Sequence, residues 1–203
     1  MTEVPIDQAL IFIVSGPAGS GKTTLCERMI AELSPRIQRI ITATTRPPRQ
    51  NEINGVDYYF LSHEEFQEAV QKEKFYEHAK VHSYNYGILK EEIKNKLDQN
   101  IDLLINLDVQ GAETLRKITQ LDPELHKRVI SIFIMPPTVD VLESRLQGRG
   151  LDNHEEIERR LQVAQTEVQY WTSYDYCIPT QTKEEDFACL LSLYVAEKLR
   201  VRV

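Results

Sequence analysis

The chain has 203 residues and a mass of 23.5 kDa, with 41% hydrophobic and 27% charged residues. That is enough to bury one sizeable core, and the charge content is too ordinary for wholesale disorder. Lys and Arg together number 24 against 31 Asp and Glu, a formal charge of −7, which argues against a protein that coats nucleic acid or an anionic membrane through its overall field. No apolar run reaches the about 18 residues of a membrane span, and Thr2-Glu3 and Asp7 give the first apolar stretch no positively charged lead-in, so neither a span nor a secretory signal is expected. Cys26, Cys177 and Cys189 have no CxxC spacing and no His cluster beside them. They read as packed thiols in a reducing cytoplasm, not as a disulfide scaffold or a zinc site.

The first predicted element is a strand over 10–14, Leu-Ile-Phe-Ile-Val. It runs into Gly16-Pro17-Ala18-Gly19-Ser20-Gly21-Lys22-Thr23, a match to G-x-x-x-x-G-K-[ST], with Thr24 next and an amphipathic helix predicted over 22–33. Glycine lets the backbone take positive φ, so successive N–H groups converge on one concavity that holds phosphate oxygens. The helix start adds its positive dipole end. Lys22 can reach the β and γ phosphates of a nucleoside triphosphate, and the Thr23 hydroxyl can ligate Mg²⁺. A nucleoside triphosphate with Mg²⁺ is therefore expected, but a GTPase, a transporter ATPase and a small-molecule kinase all share this loop, and the remaining motifs must decide among them.

Further strands are predicted at 38–42, 102–107, 129–135 and 175–178, separated by helices near 88–98, 111–121, 138–147 and 154–171, with a last helix from about 184. Strands alternating with helices read as an α/β fold, a parallel sheet flanked by helices. Ser62 with Glu65, Asn153 with Glu156 and Thr182 with Glu185 each pair a cap residue with an acid three positions on. Two segments break the alternation. Residues 43–87 carry Pro47-Pro48, Asn54-Gly55, a short helix at 63–73 and a tyrosine-rich stretch, whereas 148–160 are dominated by charge. Both are expected as insertions on one core formed by 1–42, 88–147 and 161–203.

The first insertion has phosphate-monoester chemistry. Arg46 and Arg49 sit three apart on a proline-stiffened loop, with Tyr58 and Tyr86 following. Guanidinium forks donate bidentately to phosphate, and tyrosines add neutral O–H donors. Together the phosphate loop, the TTRxPRxxExxGxDYxF-type segment at 44–60, Glu77, Tyr86-Gly87, the LDVQG segment at 107–111 and the RLxxRG segment at 145–150 resemble the guanylate kinase family over most of the chain. That resemblance implies a P-loop NTPase core carrying a GMP-binding insertion and an arginine-rich lid, with ATP and Mg²⁺ converting GMP, and dGMP, to the diphosphate. It assigns the GMP phosphate to Arg46, Arg49, Tyr58 and Tyr86, and the guanine edge to Glu77, with Thr42 supplying a hydroxyl and Asn106 also on the substrate side. Arg145, Arg149 and Arg160 match the lid arginines that act with Lys22 in catalysis. Asp108 orders Mg²⁺ through water, or caps the helix after it. Arg159 is read as a solvated helix charge.

Three positions depart from the family pattern. Ile88 stands where the family has Ser or Thr, leaving guanine O6 to water or the Thr42 hydroxyl. Asn106 replaces an acid beside the phosphates, and Thr180 lies where an asparagine would meet adenine. Two other readings stay open: a related kinase for another phosphorylated acceptor, and a protein-binding module on the same scaffold. The intact Gly21-Lys22-Thr23 and the arginines weigh against the module. Nothing in the chain chooses between monomer and homo-oligomer.

Overall fold

The structure is a computed structural model that describes residues 8–81, 83–138, 141–144 and 154–202. Five parallel strands form the main sheet in the order β2-β7-β1-β8-β9. They are β1 (Ile11–Ser15), β2 (Ile37–Arg39), β7 (Asp102–Asn106), β8 (Val129–Met135) and β9 (Tyr176–Pro179). β1 is buried at every residue, as a strand covered on both faces must be. Its alternation divides the core in two. Leu10, Phe12 and Val14 face one cluster with Leu25, Met29 and Phe187, which come from helices α1 (Lys22–Leu33) and α7 (Lys183–Leu199). Ile11 and Ile13 face the other, with Ile93, Ala112 and Leu115 from α3 (Lys90–Asp98) and α4 (Val109–Thr119). Each large apolar side chain so buried stabilises the fold by about 1.5–3 kcal/mol.

A buried carboxylate ties the C-terminal helix to this sheet. Asp102, at the start of β7, is 2% exposed. It accepts from the Leu10 N–H at 2.7 Å, the Tyr194 hydroxyl at 2.8 Å and the Lys198 ammonium at 2.9 Å. Each potential acceptor thus meets a donor, which a buried charge requires.

The insertion is a second, four-stranded sheet in the order β4-β3-β6-β5, where the sequence predicts only loop and one helix. Its strands are β3 (Ala43–Thr44), β4 (Tyr59–Phe60), β5 (Phe75–Val81) and β6 (Tyr84–Leu89). Two of them are only two residues long, too short to show alternation, and β5 and β6 mix polar with aromatic residues. Its small core stacks Phe66 on Phe75 with ring centroids 4.6 Å apart. Gly87 is needed there, because a Cβ would meet the Phe75 ring at 2.7 Å. Phe66 belongs to α2 (His63–Gln71), which starts in the capping box foreseen at Ser62 and Glu65.

Several boundaries move. The strand predicted at 38–42 is β2 at Ile37–Arg39, and the helix predicted from 88 begins at Lys90, because Ile88 and Leu89 extend β6 beyond the expected end of the insertion at 87. The helix predicted over 154–171 is α6 (His154–Glu167) followed by a 3-10 turn over Val168–Ser173, so residues 154–160 of the expected lid are helical. Of the helix predicted at 138–147, residues 141–144 are helical. A short α5 (Pro123–His126), capped by Asp122, is present where none was expected. Arg145, Arg149 and the Asn153 cap lie outside the described residues. The three cysteines are free. Cys26 is buried and its thiol is pushed up to about 12 by that burial, but Cys189 is exposed and departs from the packed-thiol reading. Among the described residues, no helix is long and apolar enough to cross a membrane.

Removing the Asp102 carboxylate leaves the Leu10 N–H and the Lys198 ammonium without their acceptor. Asp102→Ala is expected to lower stability by about 3–5 kcal/mol, read as a shifted urea midpoint. A loss below about 1 kcal/mol would mean that the carboxylate is not buried in solution.

Candidate functional site

Parallel pairing of β1 with β7 and β8 brings the site together. Val14 is in register with Asn106, and Ser15 with Phe133, so the loops leaving the C-terminal ends of these strands emerge side by side, where open α/β sheets bind ligands. The loop after β1 holds the glycine-rich turn. Gly16 has φ +139°, and a Cβ there would lie 2.4 Å from the Ile134 carbonyl oxygen, so no side chain fits. Gly19 and Gly21 also take positive φ, at +85° and +102°. The turn is closed by the Ser20 N–H donating to the Pro17 carbonyl at 3.1 Å. Gly21 then starts α1 with no side-chain cap and no acid in the first turn. A helix end built so leaves its donors and positive dipole to an anion. Pro17, Gly19 and Ser20 are buried, whereas Ala18, Thr23 and Thr24 are exposed.

The Lys22 ammonium folds back onto the loop, donating to the Gly16 carbonyl at 2.5 Å and the Pro17 carbonyl at 2.9 Å. Beside it, the Asn106 amide donates to the Thr23 hydroxyl at 3.1 Å. The residue that departs from the family pattern thus holds the side chain expected to meet a metal. Asp108 caps α4, its carboxylate accepting from the Gly111 N–H at 2.7 Å. It is also exposed towards the cleft that Gly16, Ala18, Lys22, Arg160 and Glu167 line. Arg159 is exposed at the rim of this cleft.

The acceptor side is built on the second sheet. Arg46 lies beneath Glu52, which takes its guanidinium through both carboxylate oxygens at 2.8 and 2.9 Å and accepts the Arg49 N–H at 2.7 Å. This pairing holds the Arg46 guanidinium well above its usual range, with Tyr86 adding a smaller effect, and it draws the Glu52 carboxyl below its usual range. The guanidinium also sits 5.3 Å from the Tyr58 ring centroid, and Tyr58 meets Tyr86 edge-on at 6.3 Å. Arg46, Tyr58 and Tyr86 therefore form one cluster. The Arg49 side chain is exposed on the same loop, and Thr42 lends its carbonyl to the Tyr59 N–H at 3.0 Å.

Glu77 lies on β5, half-buried. Burial pushes its carboxyl up, and the charge of Asp108 adds to the effect. Burial likewise pushes the Glu167 carboxyl up, opposed by Lys22, and the charge of Asp108 adds to the rise. Asp108 therefore stands electrostatically between the phosphate loop and the acceptor sheet.

Two residues with no role in the sequence reading set this geometry. Glu52 stood in the quoted pattern and had no evident partner, since its fold-back on Arg46 depends on the Asn51 turn at φ +74°. Glu92 on α3 is 6% exposed and accepts the Ile41 N–H at 3.0 Å and the Tyr59 hydroxyl at 2.8 Å, with Lys96 at 2.7 Å. It locks the insertion onto the core, and burial with this bond pushes the Tyr59 phenol up to about 12. Ile88, in register with Glu77, is 2% exposed within the Ile11–Ile13 core cluster. Thr180 is buried, its N–H spent on the Met135 carbonyl at 2.8 Å and its hydroxyl unpartnered.

The residues suit ATP and Mg²⁺. The uncapped loop fits polyphosphate, and a hydroxyl and a carboxylate are the hard oxygen donors that Mg²⁺ takes alongside nucleotide phosphates. Among the described residues no three His, Cys, Asp or Glu side chains cluster as a metal site.

Comparison with known proteins agrees with this arrangement. The guanylate kinase family model matches residues 8–195. The chain is 36% identical to the guanylate kinase of Rickettsia felis over 192 residues, 95% of this chain and 96% of that protein. It is 37% identical to that of Novosphingobium aromaticivorans over 193 residues, 95% and 84% of the two chains. Its fold is similar to the crystal structure of guanylate kinase from Anaplasma phagocytophilum, with a TM-score of 0.67 and 27% identity over 96% of this chain and 89% of that one.

Because Ile88 is packed in the core, a hydroxyl there has no open face to serve. Ile88→Thr is expected to cost about 1–3 kcal/mol, seen as a lower melting temperature. An unchanged melt would mean that position 88 opens onto the cleft.

Proposed function

The chain belongs to the guanylate kinase family, enzymes that phosphorylate GMP with ATP, and we propose that this protein does so with Mg²⁺, accepts dGMP as well, and serves guanine nucleotide synthesis and recycling in the cytoplasm. Residues 43–87 hold the acceptor, and 148–160 close as a lid. The observation that carries the base choice is the half-buried Glu77 carboxylate, whose ionised form is opposed both by burial and by Asp108. A ligand edge with two adjacent donors relieves that penalty, and guanine offers N1–H and the N2 amine. Adenine has an acceptor at N1 and no amine at C2, so it leaves the carboxylate unmatched. Mismatches of this kind discriminate by roughly 10⁴–10⁵.

Arg46, Arg49, Tyr58 and Tyr86 bind the GMP phosphate, with Arg46 pre-set by Glu52 and the two tyrosines. That phosphate is already an anionic nucleophile, so no general base is required. One of its oxygens forms a bond to the γ-phosphorus of ATP as the bond to the ADP oxygen breaks. Lys22 swings from the Gly16 and Pro17 carbonyls to the β and γ phosphates, and Arg145, Arg149 and Arg160 close over them. The charge on the equatorial oxygens is then met from both sides, and water is kept out. Thr23 would hold Mg²⁺, with Asp108 ordering it through water, and the ion when bound would neutralise phosphate charge. Asn106 orients the Thr23 hydroxyl.

ADP release measured with GMP, dGMP, AMP, UMP and CMP tests the reading: GMP and dGMP should be turned over and the others not. Efficient turnover of another monophosphate with none of GMP would favour a kinase for a different acceptor, and no turnover at all a binding module. Lys22→Ala should abolish turnover while leaving the fold intact, since Lys22 stabilises charge at the loop and is not part of the apolar core. Activity within about tenfold of wild type would contradict its role.

A further inference from the structure

Asn106 closes β7, opposite Val14 in the parallel register and beside the start of the glycine-rich turn. Its Nδ2 group donates to the hydroxyl of Thr23, in the first turn of α1, at 3.1 Å. Both residues are exposed, so the pair can meet a ligand. A threonine hydroxyl has one proton to give and two lone pairs to offer. The amide takes one lone pair, and Nδ2, itself a donor, cannot accept the proton. One lone pair and the proton are left for whatever enters. A carboxylate at position 106 would reverse the bond: it would accept the hydroxyl proton, leave both lone pairs to a cation and add a negative charge. The amide therefore makes Thr23 a better donor to a phosphate oxygen and a poorer ligand for a cation. The first turn of α1 carries no acid to offset this, and Asp108 spends one oxygen on the Gly111 N–H at 2.7 Å.

We propose that Asn106 is a positioning residue that divides the work of Thr23: the hydroxyl proton goes to a nucleotide phosphate, one lone pair is left for Mg²⁺, and the nucleotide is held with a weaker dependence on the ion than a carboxylate at 106 would impose. The inference rests on the reading of residues 16–23 as a polyphosphate loop with Thr23 beside the ion. It goes beyond that reading by making the neighbouring strand, through one amide, the element that sets how strongly metal and nucleotide binding are coupled. Groups hydrogen-bonded to a metal ligand change metal affinity by about 10–100-fold, which sets the size of the effect.

The test needs neither GMP nor turnover. ADP is titrated into the protein by calorimetry, once with EDTA and once with excess Mg²⁺, and the ratio of the two dissociation constants measures what the ion contributes. Asn106→Asp keeps the side chain's size and turns the donor into an acceptor. It should raise that ratio about 10–100-fold, chiefly by weakening ADP binding in EDTA. A merely structural role would shift both constants together and leave the ratio unmoved. In a Thr23→Val background, where the hydroxyl is gone, the same Asn106→Asp change should alter the ratio only a few-fold. A full effect there means that the charge acts without Thr23 and overturns the proposal. Should Asn106→Asp melt too low to assay, Asn106→Ala removes the donor without adding charge. It should weaken metal-free ADP a few-fold, and no loss again overturns the proposal. An unchanged ratio in folded Asn106→Asp overturns the proposal and leaves the phosphate loop standing. Failure of the wild type to bind ADP in either buffer overturns both, and failure of GMP turnover touches neither.

Discussion

The site depends on β1 lying between β7 and β8 in parallel register. Val14 opposite Asn106 sends the glycine-rich turn and the Asn106–Asp108 segment out of the sheet side by side, and Ile134 on β8 forms the wall against which Gly16 is pressed. The register is held by burial: a one-residue slip would turn Phe12 and Val14 out of one core and Ile11 and Ile13 out of the other. Everything that binds phosphate therefore inherits its position from apolar packing. The polar groups add direction, as when Asn106 takes the Thr23 hydroxyl at 3.1 Å.

Asp108 joins the two halves. Its cap on α4 fixes a carboxylate at the mouth of the cleft, and its charge reaches Glu77 on the acceptor sheet and Glu167 on α6. Arg46 is held differently. Its charge is satisfied by Glu52 before any ligand enters, so it is oriented in advance. Glu92 supplies the frame, since one buried carboxylate takes bonds from the linker at Ile41 and from Tyr59 of the second sheet.

Where local chemistry decides, the sequence was readable. The phosphate loop, α1 and the capping boxes at Ser62 and Thr182 are set by residues within a turn of one another, and they lie where the spacing predicts. The second sheet was not readable. β3 and β4 are two residues each, and their pairing joins Ala43 to Tyr59 and to Gly87, partners far apart in the chain. Distance along the chain also hid Glu92. Ile88 looked like a lost donor for the base, whereas register with Glu77 at a barrier of core side chains makes it packing. Glu52 was visible as a letter in a pattern, but only the turn at Asn51 shows what it holds.

The central claim is that the carboxylate of the second sheet reads the guanine edge, and kcat/KM of Glu77→Gln for GMP tests it most directly. The substitution preserves shape and sets a donor against the two guanine donors. The account predicts a fall of roughly 10²-fold or more for GMP, with the melting temperature unmoved. GMP kinetics equal to wild type in the folded variant would contradict it, since the base would then be read by some other group.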